Sequence, residues 1–205
     1  MIRFLELYPE HLNLNGDLAN SLILRRQFEM RGYEVEVLQI RKGDPMPESF
    51  DFFLLGHGSA AAWQDIREDL LRILPTLKNA ADVAVAGLVV ASGFEYSAAT
   101  LFGLEPGAEN RRSEFVIAEV DGHEVLGYLN SESDLPVATW SKNVLGTLLH
   151  GPVLAKNPQL ISDFIANICS RRGEQVRPLE TQNEADQLAS LVQEVWLLEK
   201  PLASE

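Results

Sequence analysis

Basic residues are scarce in this chain. Against 30 Asp and Glu stand 17 Lys and Arg, a formal net charge of −13 at pH 7. So acidic a surface repels a phosphate backbone, which excludes nonspecific nucleic-acid binding, and it suits solubility or a basic partner face. Cysteine is scarcer still: the single Cys169 excludes an internal disulfide and a thiolate metal cluster. Its place beside Ile161, Phe164, Ile165 and Ile168 on one face of a predicted helix marks it as core. Long apolar runs are missing too. No stretch reaches bilayer-spanning length, and the opening MIRFLELYPE has neither a basic n-region nor an apolar h-region. No membrane partner is expected, and a cytoplasmic location follows by default. The four histidines fall at no metal-ligand spacing, so neither a metal nor a cofactor is expected. There is no internal repeat and no low-complexity tract.

What is present is a chain of 205 residues, 46 % hydrophobic and 23 % charged, enough for one globular α/β domain with a sizeable core. Ile2–Leu7 reads as a buried strand, and the Asn/Gly/Asp-rich loop after it offers Asp17 or Asn20 as a helix cap. Leu18–Met30 carries helical spacing closed by Arg31-Gly32, and Tyr33–Ile40 alternates as a strand. Strand, helix and strand in that order make a βαβ unit and predict a parallel sheet. The apolar strand Asp51–Leu55 runs into Gly56-His57-Gly58-Ser59, and a helix is predicted over Ile66–Leu77. Phe115–Val120 and Glu124–Leu129 flank Asp121-Gly122 as a β-hairpin, Thr139–Leu149 reads as one strand, and Asn157-Pro158 opens a helix over Gln159–Cys169. The predicted fold is a three-layer α/β domain with a mainly parallel sheet and an antiparallel hairpin extension. It spans residues 1–172, followed over 173–205 by a polar linker and an amphipathic helix bearing Leu188, Leu191, Val192, Val195 and Trp196.

The stretch Val83–Gly103 organises the rest. A β-branched run, Gly87–Val90, meets Ala91-Ser92-Gly93, and a helical pattern follows from Phe94. A strand turning sharply into a helix is the architecture of a nucleophile elbow, which lifts one side chain above the sheet and aims helix-start N–H groups at a developing oxyanion. Here the tip is Ala91, which has no nucleophile. Ser92 is either a substitute nucleophile or a small turn residue contributing its N–H, and its place one residue past the tip favours the second. His150, at a strand end before Gly151-Pro152, is placed to be the base for an elbow nucleophile or to cap the strand. His57 lies between glycines as an incidental or ligand-facing side chain, and His11 and His123 read as solvated. Arg111-Arg112 either clamps a carboxylate or is solvated.

Four segments together resemble class I glutamine amidotransferases of the cobyric-acid-synthase type, and within them the glutaminase subunits of lipid II isoglutaminyl synthases. LYPEHLNLNGDLANSLILRRQFEMRGYEVEV looks like their first strand, loop and helix. LLGHGSAAAWQD looks like their oxyanion loop, which normally reads Gly-Gly-Gly-Gln-Asp, and VVASGFEY stands where they have Cys-Gly-Gly-Tyr-Gln. NVLGTLLHGPVLAKNPQL is close to their Gly-Thr-Tyr-Leu-His-Gly-Pro signature. The resemblance covers about residues 2–170. It implies that His150 is the catalytic histidine, that the N–H groups of Gly58 and Ser92 form an oxyanion hole ahead of Gly93, and that Arg112 helps hold glutamine. It places Ala91 at the nucleophilic cysteine.

Two functions follow as expectations. In one, the chain is a pseudo-glutaminase in cell-wall precursor amidation, a binding or scaffold partner of a Mur-ligase-like or other synthetase that still takes glutamine or a small amide. In the other, it is an active glutaminase, releasing glutamate and ammonia for such a synthetase in cell-wall or cobalamin-type amidation, whose position 91 is natively cysteine. The clustered departures at His57, Ser92 and Glu95 favour the first. Pairing with a synthetase or with a second copy is expected, with Trp63, Trp140 and Trp196 as aromatic anchors.

Overall fold

The computed structural model describes residues 1–179, 194 and 196–198. Strand β1 (Ile2–Leu7) leads into helix α1 (Ala19–Glu29) and strand β2 (Val35–Ile40). Strand β3 (Phe52–Leu55), helix α2 (Ala60–Asp82) and strand β4 (Ala86–Val90) form the next unit, and helix α3 (Ser92–Phe102) leaves the tip of β4. The hairpin strands β5 (Ala108–Val120) and β6 (His123–Ser133) follow, then β7 (Ala138–Ser141), β8 (Val144–Thr147) and β9 (Leu149–His150). Helices α4 (Val153–Lys156) and α5 (Pro158–Arg171) close the described core.

The main sheet has the order β2-β1-β3-β4-β8-β7, parallel except for the antiparallel edge pair β7–β8. From β1 the chain steps to one side to reach β2; from β3 it steps to the other side to reach β4. Right-handed crossovers therefore place α1 and α2 on opposite faces. Ring contacts trace the α1/α5 face: Phe4 meets Phe28 at 6.0 Å and Phe52 at 5.0 Å, and Phe52 meets Phe164 at 5.6 Å. On the other face α2 buries Trp63, Ile66, Leu70, Ile73 and Leu77 and contacts α3. The β1/β3 boundary is the topological switch point, where the loops leaving the carboxyl ends of the strands diverge and leave a crevice. A three-stranded sheet, β5-β6-β9, stands beside it. Its hairpin turns at Asp121 and Gly122, both at positive φ (49° and 82°), as a two-residue turn compatible with strand twist requires.

The predicted α/β fold with its antiparallel hairpin extension is what the structure has, with four local differences. Helix α2 begins six residues earlier than its apolar spacing suggests, because Ser59 caps it by accepting from the Ala62 amide at 3.2 Å. It also runs on past Pro75, which lies on the exposed side. The run Thr139–Leu149 is three strands rather than one: it reverses at Lys142 (φ 55°), and after Thr147 it leaves the main sheet to pair with the hairpin. Neither Asp17 nor Asn20 caps α1, whose N-cap is Leu18; both side chains turn into the interior. Of the predicted terminal stripe, Leu188, Leu191, Val192 and Val195 lie outside the described residues. Trp196 donates its indole N–H to the Lys156 carbonyl.

Candidate functional site

The elbow exists as read. Ala91 has φ 49° and ψ −118°, a region that a residue with a Cβ enters only under constraint. Three bonds hold it there: its N–H donates to the Thr147 carbonyl at 2.7 Å, and its carbonyl accepts from the Phe94 and Glu95 amides at 2.9 and 3.2 Å. Gly93 must be glycine, since a Cβ there would lie 2.6 Å from the carbonyl oxygens of both Leu55 and Gly56. That close approach seats the first turn of α3 directly on the loop leaving β3.

The two amides that the resemblance assigns to an oxyanion hole, those of Gly58 and Ser92, are met by the chain's own side chains. The Gly58 N–H donates to Ser92 Oγ at 3.2 Å, and the indole N–H of Trp63 donates to the same oxygen at 2.7 Å. The Ser92 hydroxyl lies 2.7 Å from His57 Nδ1 and donates to it, while the Ser92 N–H faces that same nitrogen at 3.4 Å. Ser92 Oγ thus has two donors and one acceptor, the full capacity of a hydroxyl with one O–H and two lone pairs. His57 must be neutral to accept. Burial, and secondarily the neighbouring His150, lowers its pKa to about 4. Trp63 is itself fixed by stacking on Tyr96 at 4.3 Å.

His150 reaches this cluster from β9. Its ring meets His57 edge-on with centroids 4.5 Å apart. The Asn130 carbonyl, 3.0 Å from Nε2, can only accept, so Nε2 carries the proton. Nδ1 then accepts from the Asn15 side-chain amide at 2.7 Å. Both ring nitrogens are therefore engaged within the chain. Beneath Asn15 the Asp17 carboxyl is fully buried, and one of its oxygens has no hydrogen-bond partner. Burial raises its pKa, opposed by the Asn15 and His57 amides and by His150. Asn20 ties this loop to the segment after His150: its amide donates to the Asp17 and Gly151 carbonyls at 3.0 and 3.2 Å, and its oxygen accepts from the Leu154 amide at 2.9 Å.

Beside the elbow a polar groove of about 610 Å³ runs to the foot of the hairpin, lined among others by Glu95, Gly107, Arg111, Asn130, Ser131 and Glu132. Glu95 accepts from the Ser131 hydroxyl at 2.6 Å, and Arg111 donates to Asn130 Oδ1 at 3.0 Å. Of the arginine pair, it is Arg111 that lines the groove. Arg112, to which the resemblance assigned a ligand-holding role, is exposed and paired with Glu114 at 2.8 Å, because successive strand residues face opposite ways. Among the described residues no cluster of His, Cys, Asp and Glu could hold a metal ion, and no helix is long and apolar enough to cross a membrane.

The structure thus gathers Ala91, Ser92, Gly93, Gly58 and His150 at one sheet edge and leaves Arg112 outside. Sequence reading counted His57 among the clustered departures of the site, as an incidental or ligand-facing side chain, and missed Asn15 and Trp63. The signal for His57 was its place inside a glycine loop; nothing in the sequence pointed to Asn15 or Trp63 as parts of the cluster.

No protein-family model matches the chain. It is 27 % identical over 214 residues to the lipid II isoglutaminyl synthase (glutamine-hydrolyzing) subunit GatD of Staphylococcus aureus, covering 86 % of this chain and 88 % of that one. Its fold is similar to a glutamine amidotransferase from Thermotoga maritima, with TM-score 0.51, 14 % identity, and 93 % and 94 % of the two chains covered. It is also similar to the glutaminase domain of Trypanosoma brucei CTPS with bound acivicin, with TM-score 0.53, 9 % identity, and 89 % and 98 % covered. By fold and by sequence the chain is glutamine-amidotransferase-like and similar to the GatD subunit.

Proposed function

We propose that this chain is a pseudo-glutaminase of the cobyric-acid-synthase type, a glutaminase fold kept as a binding or scaffold subunit after hydrolysis was lost. Glutaminase chemistry at an elbow needs a thiolate to attack the carboxamide carbon, two N–H donors to hold the resulting oxyanion, and a histidine to protonate the departing ammonia and then activate water. The reading rests most heavily on Ser92 Oγ accepting the Gly58 N–H at 3.2 Å. An alanine in place of the thiol is one change, but a hydroxyl seated where an oxyanion would sit is a second and independent one. The Asn15 carboxamide on His150 Nδ1 is a third, since it occupies the base with an internal amide.

GatD is named as a subunit of a synthase that hydrolyses glutamine. Carried to this chain, that supports a partner of the Mur-ligase-like synthetase class in amidation of a cell-wall precursor, with this subunit contributing its surface rather than ammonia. Loss of the nucleophile leaves such a docking surface untouched. Two measurements test the proposal. Ammonia release from glutamine should stay at background for the chain alone and with the synthetase. Co-purification from the native host, followed by sedimentation, should recover a complex with that synthetase. Glutamine turnover that Ser92→Ala abolishes, or a lone monomer with no stable partner, would overturn it.

A further inference from the structure

The loop between β1 and α1 carries the chain's one Asn-Gly pair, Asn15-Gly16. Such a pair is prone to cyclise, because the glycine nitrogen lies within reach of the asparagine side-chain carbonyl carbon and no Cβ hinders the attack. Both residues are exposed. Gly16 sits at φ 77°, and a Cβ built on it would meet nothing within 4 Å, so the loop has room to bend. The Gly16 N–H donates to the Asn13 carbonyl at 3.2 Å, a bond on the exposed loop that has to open first. What sets this pair apart is the group on its carboxamide. Asn15 Nδ2, the nitrogen that cyclisation expels, lies 2.7 Å from His150 Nδ1. The imidazole is held from its other side, where Nε2 donates to the Asn130 carbonyl at 3.0 Å.

We propose that Asn15 is a self-modification site, deamidated within its own chain with His150 as the general acid. The Gly16 nitrogen attacks Asn15 Cγ and gives up its proton to water, closing a five-membered ring with an oxyanion on Oδ1. The oxyanion re-forms the carbonyl as the Cγ–Nδ2 bond breaks, its electron pair passing to nitrogen. That nitrogen takes a proton from His150 Nδ1, which has drawn one from solvent, and leaves as ammonia. Water then opens the imide at either carbonyl, leaving aspartate or isoaspartate at position 15. The histidine acts where the reaction needs it. An amide nitrogen has its lone pair delocalised and only donates, whereas the tetrahedral nitrogen has a free pair and accepts. The contact therefore turns from N–H donor to proton acceptor as the ring closes, which favours the transition state over the ground state. The reaction is a single turnover that needs neither glutamine nor a thiol, so it stands apart from the proposed loss of glutaminase activity. It replaces the carboxamide that engages Nδ1 with a carboxylate.

The test is incubation of freshly purified full chain at neutral pH without glutamine, with peptide mapping at intervals and enzymatic methylation of isoaspartate. The expected result is conversion at position 15 to a mixture of isoaspartate and aspartate, with ammonia released in step with it. His150→Gln keeps a polar side chain but transfers no proton, and it should convert about 10²-fold more slowly, the lower end of what a positioned acid contributes. A merely structural hydrogen bond predicts the opposite, since its loss frees the loop and speeds conversion. The same chain unfolded in urea keeps Asn15-Gly16 but loses His150. It should convert about tenfold more slowly than the folded chain, a smaller factor because the Gly16 bond no longer has to open. Conversion in His150→Gln or in urea at or above the folded rate, or a folded chain unchanged at position 15, would overturn the proposal. The urea comparison does so even if the variant fails to fold.

Discussion

Replacing Ser92 by alanine removes one oxygen and strands two buried donors. The Gly58 N–H and the Trp63 indole N–H both donate to Ser92 Oγ, at 3.2 and 2.7 Å, and both residues are buried. Each stranded donor costs about 1–3 kcal/mol, so the pair costs about 2–6 kcal/mol, with about 3 kcal/mol expected once the loop relaxes slightly. For a chain of this size that is a fall in Tm of about 6–12 °C, at about 2–4 °C per kcal/mol. Urea denaturation followed by tryptophan fluorescence measures the loss directly. A double-mutant cycle with Trp63→Phe isolates the indole share, which should show a coupling of about 1 kcal/mol or more. A loss under about 0.5 kcal/mol, the level of an ordinary surface substitution, would refute the reasoning. The Ser92 hydroxyl would then not be what fills the space between Gly58 and the helix start.

Three further outcomes are expected. His57 titrates near 6.5 when unfolded and about 4 when folded, so the unfolded chain binds the extra proton between those values. Stability from this group is full above pH 6.5 and lost as pH falls toward 4, by roughly 2 kcal/mol; the acid limb of a stability–pH curve should flatten in His57→Gln. Asn20→Ala breaks three buried hydrogen bonds, two to the segment after His150 and one to the Asp17 carbonyl in the loop after β1, and chemical denaturation should show a loss of about 2–4 kcal/mol. Gly93→Ala forces a Cβ to 2.6 Å from two backbone oxygens; calorimetry should show a loss of about 2 kcal/mol or more, where a tolerated exchange would mean that the helix start can back away from β3.

Much of this was legible from residue pattern alone. Ile2–Leu7 is a strand with the predicted bounds because its apolar run is uninterrupted and a loop of Asn, Gly and Asp ends it. The elbow at Ala91 was legible because small residues bracket a change from strand to helix periodicity. The start of α2 was hidden, since a Ser cap before three alanines carries no apolar periodicity. The split of Thr139–Leu149 was hidden for the opposite reason: its apolar spacing continues across a reversal that only the positive φ of Lys142 marks. The site was half visible. Ala91, Ser92, Gly58 and His150 stand out by type and position, but the bonds that engage them come from Asn15, His57 and Trp63, which lie up to 135 residues away in sequence. Such pairings are set by the strand order β1-β3-β4-β8, which no local window contains. Arg112 was the wrong member of its pair to line the groove because one residue of strand register decides which arginine faces it.

What has to be tested is whether the site is closed by its own side chains as well as lacking a thiol. The most direct measurement is ammonia release from glutamine by Ala91→Cys, compared with the triple variant His57→Gly, Ala91→Cys, Ser92→Gly. The single variant restores the nucleophile but leaves Ser92 Oγ on the Gly58 amide and His57 against the Ser92 amide. It should stay near background. The triple variant frees both donors and should exceed the single one by about 10²–10³-fold, the usual worth of an oxyanion donor. Glutaminase activity in Ala91→Cys alone, at the level of the triple variant, would contradict the account and show that a missing sulfur was all that silenced the site.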